Sequence, residues 1–128
     1  MRTLNSLFAL LVLAATLAAQ PPIAVLDFDG EGLSESERRA LTNKLRSALF
    51  QTGSYTILER SRMEEILREM GFQQTGCTDM SCAVEMGQLL NVRFIVMGSV
   101  DKVASTYAVN ARMVEVATGT IRADVVED

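Results

Sequence analysis

The residues best placed to do chemistry are Asp27 and Asp29, in the stretch IAVLDFDGEG over residues 23–32. Four apolar residues run into two carboxylates one residue apart, followed at once by Gly30. A buried strand ending in D-x-D-G can carry out phosphoryl transfer. One carboxylate attacks phosphorus and the other serves as acid and base beside a magnesium ion.

That chemistry needs further parts: a Ser or Thr at a later strand end, a Lys to hold phosphate, and a second acidic pair for the metal. The candidates are Ser61 after YTIL, Lys102 after GSV, and Glu127-Asp128 after ADVV. Ser61 reads better as a helix cap. Lys102 is expected in the tight connection between two antiparallel strands, and Glu127 and Asp128 sit at a fraying terminus. Haloacid-dehalogenase-type phosphotransferases carry Thr where this chain has Glu31. Asp27 and Asp29 are therefore read as the polar mouth of a strand, where a carboxylate near a helix N-terminus is favourable.

Histidine is absent, which removes Ser-His and Cys-His nucleophile pairs, the usual zinc sites and an imidazole pH switch. No cofactor is expected. The formal net charge of −4 makes nucleic acid an improbable partner. The opening residues place Arg2 before an apolar run from Leu7 to Leu17 and then small residues, the layout of a secretory signal peptide. Cleavage after Ala18 leaves one domain over residues 19–128. An uncleaved anchor is the alternative, although the run falls short of the ~20 residues a spanning helix needs. The two cysteines, Cys77 and Cys82, are separated by four residues in a chain expected to be exported, so a disulfide fixing a local loop is the first expectation and two thiols the second.

The elements that must position these residues follow from periodicity. Ile23 to Phe28 reads as a strand covered on both faces. Ser34 with Glu37 has capping-box spacing, and Leu41, Leu45, Ala48 and Leu49 recur at helical spacing, which predicts a helix from about Glu35 to Gln51. Tyr55 to Leu58 is a short strand. Ser61 with Glu64 repeats the capping spacing before a stripe of Met63, Ile66, Leu67 and Met70. A cysteine-bearing loop from Phe72 to Ser81 leads to a short helix through Ala83, Met86, Gly87 and Leu90. Gly87 implies a close backbone contact there. Phe94 to Val100 is a second apolar strand. Tyr107 to Val114 and Thr120 to Val126, with Ile121, Ala123 and Val125 alternating, form a hairpin about the turn at Thr118-Gly119. The fold class is α/β, a mixed sheet in two or three layers with the order β-α-β-α-α-β-β-β. Its first half favours parallel strands and its C-terminal half is an antiparallel meander.

Four segments together, IAVLDFDGEGLS, YTILERSRMEEILREMGF, LLNVRFIVMGSVDKV and TYAVNARMVEVATGTI, resemble the periplasmic domain of the curli-secretion-channel (CsgG-like) family. Leu58-Glu59-Arg60, Gly98-Ser99 and Thr118-Gly119 are the most specific parts. The resemblance implies a small α/β docking domain, similar also to the N-terminal domain of TolB and to lipoproteins that activate peptidoglycan synthases. In the curli channel such a domain forms a ring, and two added hairpins per subunit build an outer-membrane barrel. This chain departs from the pattern in having no lipid-accepting Cys after the signal, only Ala104-Ser105 where a hairpin would be inserted, and an end at Asp128 before the second hairpin.

The resulting expectation is a non-enzymatic, exported protein-interaction module in envelope assembly or secretion, periplasmic or peripheral at the outer membrane. Its partners are envelope proteins or further copies of itself, and the mature chain does not span the membrane. The alternative is a soluble regulator docking on a cell-wall synthase or another envelope enzyme, and the magnesium phosphatase is the remote third. The structural or interface candidates are Asp27, Asp29, Gly30, Glu59, Arg60, Arg62, Gly98 and Ser99. Arg60 is expected to bond to a neighbouring loop through Asp27 or Asp29, with a subunit contact as the other reading.

Overall fold

The computed structural model describes residues 20–72 and 79–127. The expected signal peptide and Cys77 lie outside the described residues. The chain forms β1 (Pro22–Val25), α1 (Glu35–Gln51), β2 (Thr56–Ile57), α2 (Arg60–Glu69), α3 (Met80–Leu89), β3 (Phe94–Val103), β4 (Thr106–Glu115) and β5 (Thr120–Glu127). The strands make one sheet in the order β2-β1-β3-β4-β5. β1 pairs in parallel with β2 and β3, while β3-β4-β5 is an antiparallel meander. Both the element order and the mixed sheet are as the sequence predicts.

Alternation along the central strands sets the layers. Ile23 and Val25 of β1, with Phe94, Val96 and Val100 of β3, point to the face where Leu45 and Leu49 of α1 pack. Ala24, Leu26, Ile95 and Met97 point the opposite way, to Met63 and Leu67 of α2 and Ala83 and Met86 of α3. A strand buried on both faces needs apolar residues at consecutive positions, which is why β1 and the start of β3 read as unbroken apolar runs. The predicted close contact at Gly87 is present: a Cβ there would lie 2.4 Å from a methyl of Val116.

Four local expectations are corrected. Of the predicted α1 stripe only Leu45 and Leu49 reach the core, and the most buried residues of the helix are polar. Thr42 and Arg46 are buried, whereas Ala48 and Leu41 are exposed, Leu41 at 38%. Thr42 can occupy that face because its hydroxyl is satisfied: Oγ1 accepts from the Phe28 N–H at 3.0 Å and donates to the Arg38 carbonyl at 2.9 Å, while Arg46 bonds through its two terminal nitrogens and leaves its buried Nε without a partner. Ser61 does not cap α2, because the helix has already begun at Arg60. Its N-cap is Glu59, whose side chain makes no capping bond, and Glu64 pairs with Arg60 at 2.9 Å instead. Lys102 lies within β3 rather than in a connection, since β3 and β4 run on to the Val103↔Thr106 pair and turn through Ala104-Ser105. Finally, a register shift lets Ala123 face Met113 but Ile121 face Val114, leaving Arg122 as the extra residue. Ile121 therefore sits on the opposite side of the sheet from Ala123 and Val125.

A candidate interaction surface

Asp27 follows β1, at the start of the stretch that runs on beside β3 before α1, and Arg60 opens α2. Arg60 donates from Nε to Asp27 Oδ1 at 3.1 Å and from a terminal nitrogen to Oδ2. Arg46 approaches the same carboxylate to 4.0 Å while donating to the Val25 carbonyl and to Asn43 Oδ1, each at 2.6 Å. All three side chains are largely buried. The hydrogen bond to Asp27 holds the Arg60 guanidinium above its ordinary value, whereas burial pulls Arg46 below its own. Both Asp27 oxygens are occupied by the chain's own donors, which is the geometry of a clamp and not of a nucleophile.

Asp29 serves the backbone. Its Oδ1 accepts from the Gly30 N–H at 2.9 Å, and its own backbone bonds to β3 through the Gly98 carbonyl and the Val100 N–H, so the chain past β1 runs as a parallel extension beside Ser99. Glu31 continues it, its N–H reaching Asp101 Oδ1 at 2.7 Å. This close approach explains two glycines. Gly30 has φ +136°, and a Cβ on it would lie 1.9 Å from the Val100 carbonyl oxygen. A Cβ on Gly98 would lie 2.2 Å from the Asn110 carbonyl oxygen and 3.0 Å from the Phe28 ring. Asp29, Gly30, Gly98 and Ser99 thus come together, lining a polar hollow of about 510 Å³ with Asn110 and Arg112. Glu59 is exposed at the head of α2, and Arg62 pairs among the described residues with Glu65, in the open. Neither joins the cluster.

The larger feature lies where the helices end. On the α1 side the sheet is covered only as far as β3, and the uncovered part forms a groove of about 680 Å³. Phe28 and Val100 make its floor, Tyr107, Val109, Ala111 and Val125 its far side, and Leu41 and Leu45 its wall. Beyond it every residue of β5 is exposed, including Ile121, Val125 and Val126. The sequence offers one signal for this surface that periodicity counting missed. Glu37, Ala40, Leu41, Lys44 and Leu45 form a second stripe on α1, beside the buried Thr42–Arg46 stripe.

The model of the curli production assembly/transport component CsgG matches residues 5–107. The chain belongs to this family. No curated protein matches the sequence. Among solved structures, the C-terminal domain of LpoB from Escherichia coli superposes with a TM-score of 0.67 at 17% identity, covering 84% of this chain and 81% of that one. Lipoprotein GNA1162 from Neisseria meningitidis gives 0.65 at 13%, covering 84% and 78%. TolB from Acinetobacter baumannii gives 0.56 at 14%, covering 86% of this chain but 23% of TolB. At these identities the likeness is one of fold. In this CsgG-family chain no helix among the described residues is long and apolar enough to cross a membrane.

Proposed function

We propose that this CsgG-family chain is a non-enzymatic protein-interaction module of the cell envelope, exported by residues 1–18 and working as a single domain over residues 19–128. The observation that carries the reading is the bare end of the sheet, where an apolar groove on one face meets a fully exposed edge strand. Such an edge presents unpaired N–H and C=O groups, and proteins that keep one exposed alongside apolar surface use it for contacts or cover it. The closed clamp on Asp27 speaks against phosphoryl transfer.

Within that reading, docking on another envelope protein is favoured over a share in a secretion pore. β3 and β4 are joined by Ala104-Ser105 alone, so no membrane hairpin is inserted between them. A periplasmic regulator, acting on a cell-wall synthase or another envelope enzyme, needs no such hairpin.

Light scattering on the exported, oxidised protein over a wide concentration range separates the two tasks. A monomer at all concentrations fits the regulator, and a discrete multi-copy assembly fits the assembly or secretion role. Phosphatase activity abolished by Asp27→Asn would overturn both.

A further inference from the structure

Two buried side-chain nitrogens among the described residues have no hydrogen-bond partner, Arg46 Nε and Arg112 Nε. Arg112 is half-exposed and its Nε lies 3.4 Å from Asp124, so its charge is met. Arg46 is different. Its terminal nitrogens donate to Asn43 Oδ1 and to the Val25 carbonyl, both uncharged, while the acid it approaches, Asp27, stands at 4.0 Å. A buried guanidinium held at that distance forgoes the strongest bond open to it, and an unsatisfied group of this kind calls for an explanation.

What keeps Asp27 from Arg46 is Arg60, which takes both carboxylate oxygens. Arg60 has a second acid of its own, since Glu64, one turn along α2, lies 2.9 Å from its guanidinium. Two acids and two bases therefore meet here, and they admit two complete pairings. In the arrangement seen, Arg60 bridges Asp27 and Glu64 and Arg46 stands aside. In the other, Arg46 grips Asp27 through Nε and a terminal nitrogen, and Arg60 keeps Glu64. That terminal nitrogen carries two hydrogens, so its bond to Val25 survives the exchange. Neither pairing leaves a buried charge alone, which is what makes breaking a buried ion pair costly. The segment that Arg60 holds is small. Glu59 makes no capping bond, and Glu59, Ser61 and Arg62 are exposed, whereas Met63 is fully buried. Among the described residues, the side-chain bond tying this first turn of α2 to the exit of β1 is the one from Arg60.

We propose that Asp27 is the catch of a two-position latch: Arg46 is held in reserve and takes the carboxylate when Arg60 lets go, so that the first turn of α2 detaches from the sheet without stranding a charge. Local opening of this kind is confined to the turn before Met63, because the helix beyond it is fixed in the core through Met63 and Leu67. The latch goes beyond the protein-contact reading and stands or falls independently of it.

The test uses the full exported chain with Arg46→Met, Arg60→Met and the two together, methionine keeping most of the apolar stem. In Arg60→Met, proton–nitrogen NMR is expected to show the Arg46 Nε–H moved downfield and exchanging with water about tenfold more slowly, as a newly bonded group does. Urea midpoints are expected to fall modestly in each single variant and, in the double variant, by more than the sum of the two. In Arg46→Met, where release strands Asp27, the Met63 amide, bonded to the Glu59 carbonyl, is expected to exchange about threefold more slowly. A merely structural Arg46 would speed that exchange. The proposal is overturned by an Arg60→Met chain that fails to fold, by an Arg46 Nε–H that does not move in it, by a double variant whose loss is no more than the sum of the singles, or by Met63 exchange that is unchanged or faster in Arg46→Met. If the double variant does not fold, the Arg46 resonance and the Met63 amide decide.

Discussion

Arg60 grips Asp27 through two guanidinium nitrogens, joining the first residue of α2 to the exit of β1 across 33 positions of sequence. Arg46, arriving from α1 on the other face, stands 4.0 Å from the same carboxylate. One acid therefore ties together a helix from each side of the sheet.

Removing that acid leaves two largely buried guanidinium groups facing each other. Asp27→Asn is expected to lower stability by about 3 kcal/mol, the low end of what breaking a buried ion pair costs, because Arg60 keeps Glu64. Arg62→Ala removes an exposed pair with Glu65 and is expected to cost about 0.5 kcal/mol or less. Urea midpoints for the two variants, compared at constant slope, check the contrast.

Thr42 is fully buried, and its hydroxyl is the partner of the Phe28 N–H. Thr42→Val keeps the shape and strands that N–H. The expected loss is about 1–3 kcal/mol, read by chemical denaturation, with faster amide exchange at Phe28.

The glycines separate conformation from crowding. Gly53 has φ +67° with open space where a Cβ would go, so Gly53→Ala is expected to cost only the left-handed penalty, about 1–2 kcal/mol. Gly30→Ala meets the Val100 carbonyl and must displace the extension beside β3. It is expected to lose more stability than Gly53→Ala and to shift the amide resonances of Ser99 and Val100.

How much of this was legible follows from where side chains are satisfied locally. The Ser34–Glu37 capping box and the helix from Glu35 to Gln51 are written in neighbouring residues and stand as read, and the apolar strands are present, although β1 closes at Val25 rather than at Phe28. The buried stripe of Thr42 and Arg46 was hidden because polar residue types announce a surface. Only the distant Phe28 N–H, Val25 carbonyl and Asp27 make their burial tolerable. The groove was equally hidden, since Leu41 and Val125 look like core until the sheet proves wider than its helical cover. Ile121 misled for a third reason: a one-residue register shift reverses a face without altering the alternation in sequence.

Two capping carboxylates contribute to the acid limb of stability. The Cys82 N–H, then the Ser81 hydroxyl, hold Asp79 below the usual carboxylate range; the Ser34 N–H, then its hydroxyl, do the same for Glu37. With the folded value below the unfolded one, each contribution is present above the ordinary carboxylate range and is lost as pH falls through the lowered value. Melting temperature is expected to hold from neutrality to about pH 5 and to fall below it. The Glu37→Gln, Asp79→Asn double variant is expected to be less stable at neutral pH and to show a shallower acid limb.

Cys82 packs against the α2–α3 side of the core, one turn from the Asp79 cap. If it pairs with Cys77, these two cysteines offer no titratable thiol even in the unfolded chain. Closing so small a loop is expected to contribute about 2 kcal/mol, seen as a modest fall in the urea midpoint on reduction with the fold retained.

The bulge at Arg122 bears on how far this molecule could ever extend itself. A strand added to β5 can keep step with a regular ladder only from Ala123 to Glu127, because at Arg122 the register slips and the outward groups fall out of phase. The opposite margin of the sheet is the two residues of β2, too short a foothold for a matching strand. One margin can accept a short guest and the other can hardly accept any, so repeated edge-to-edge stacking, which needs both margins, is disfavoured at β2 while a single pairing at β5 stays open.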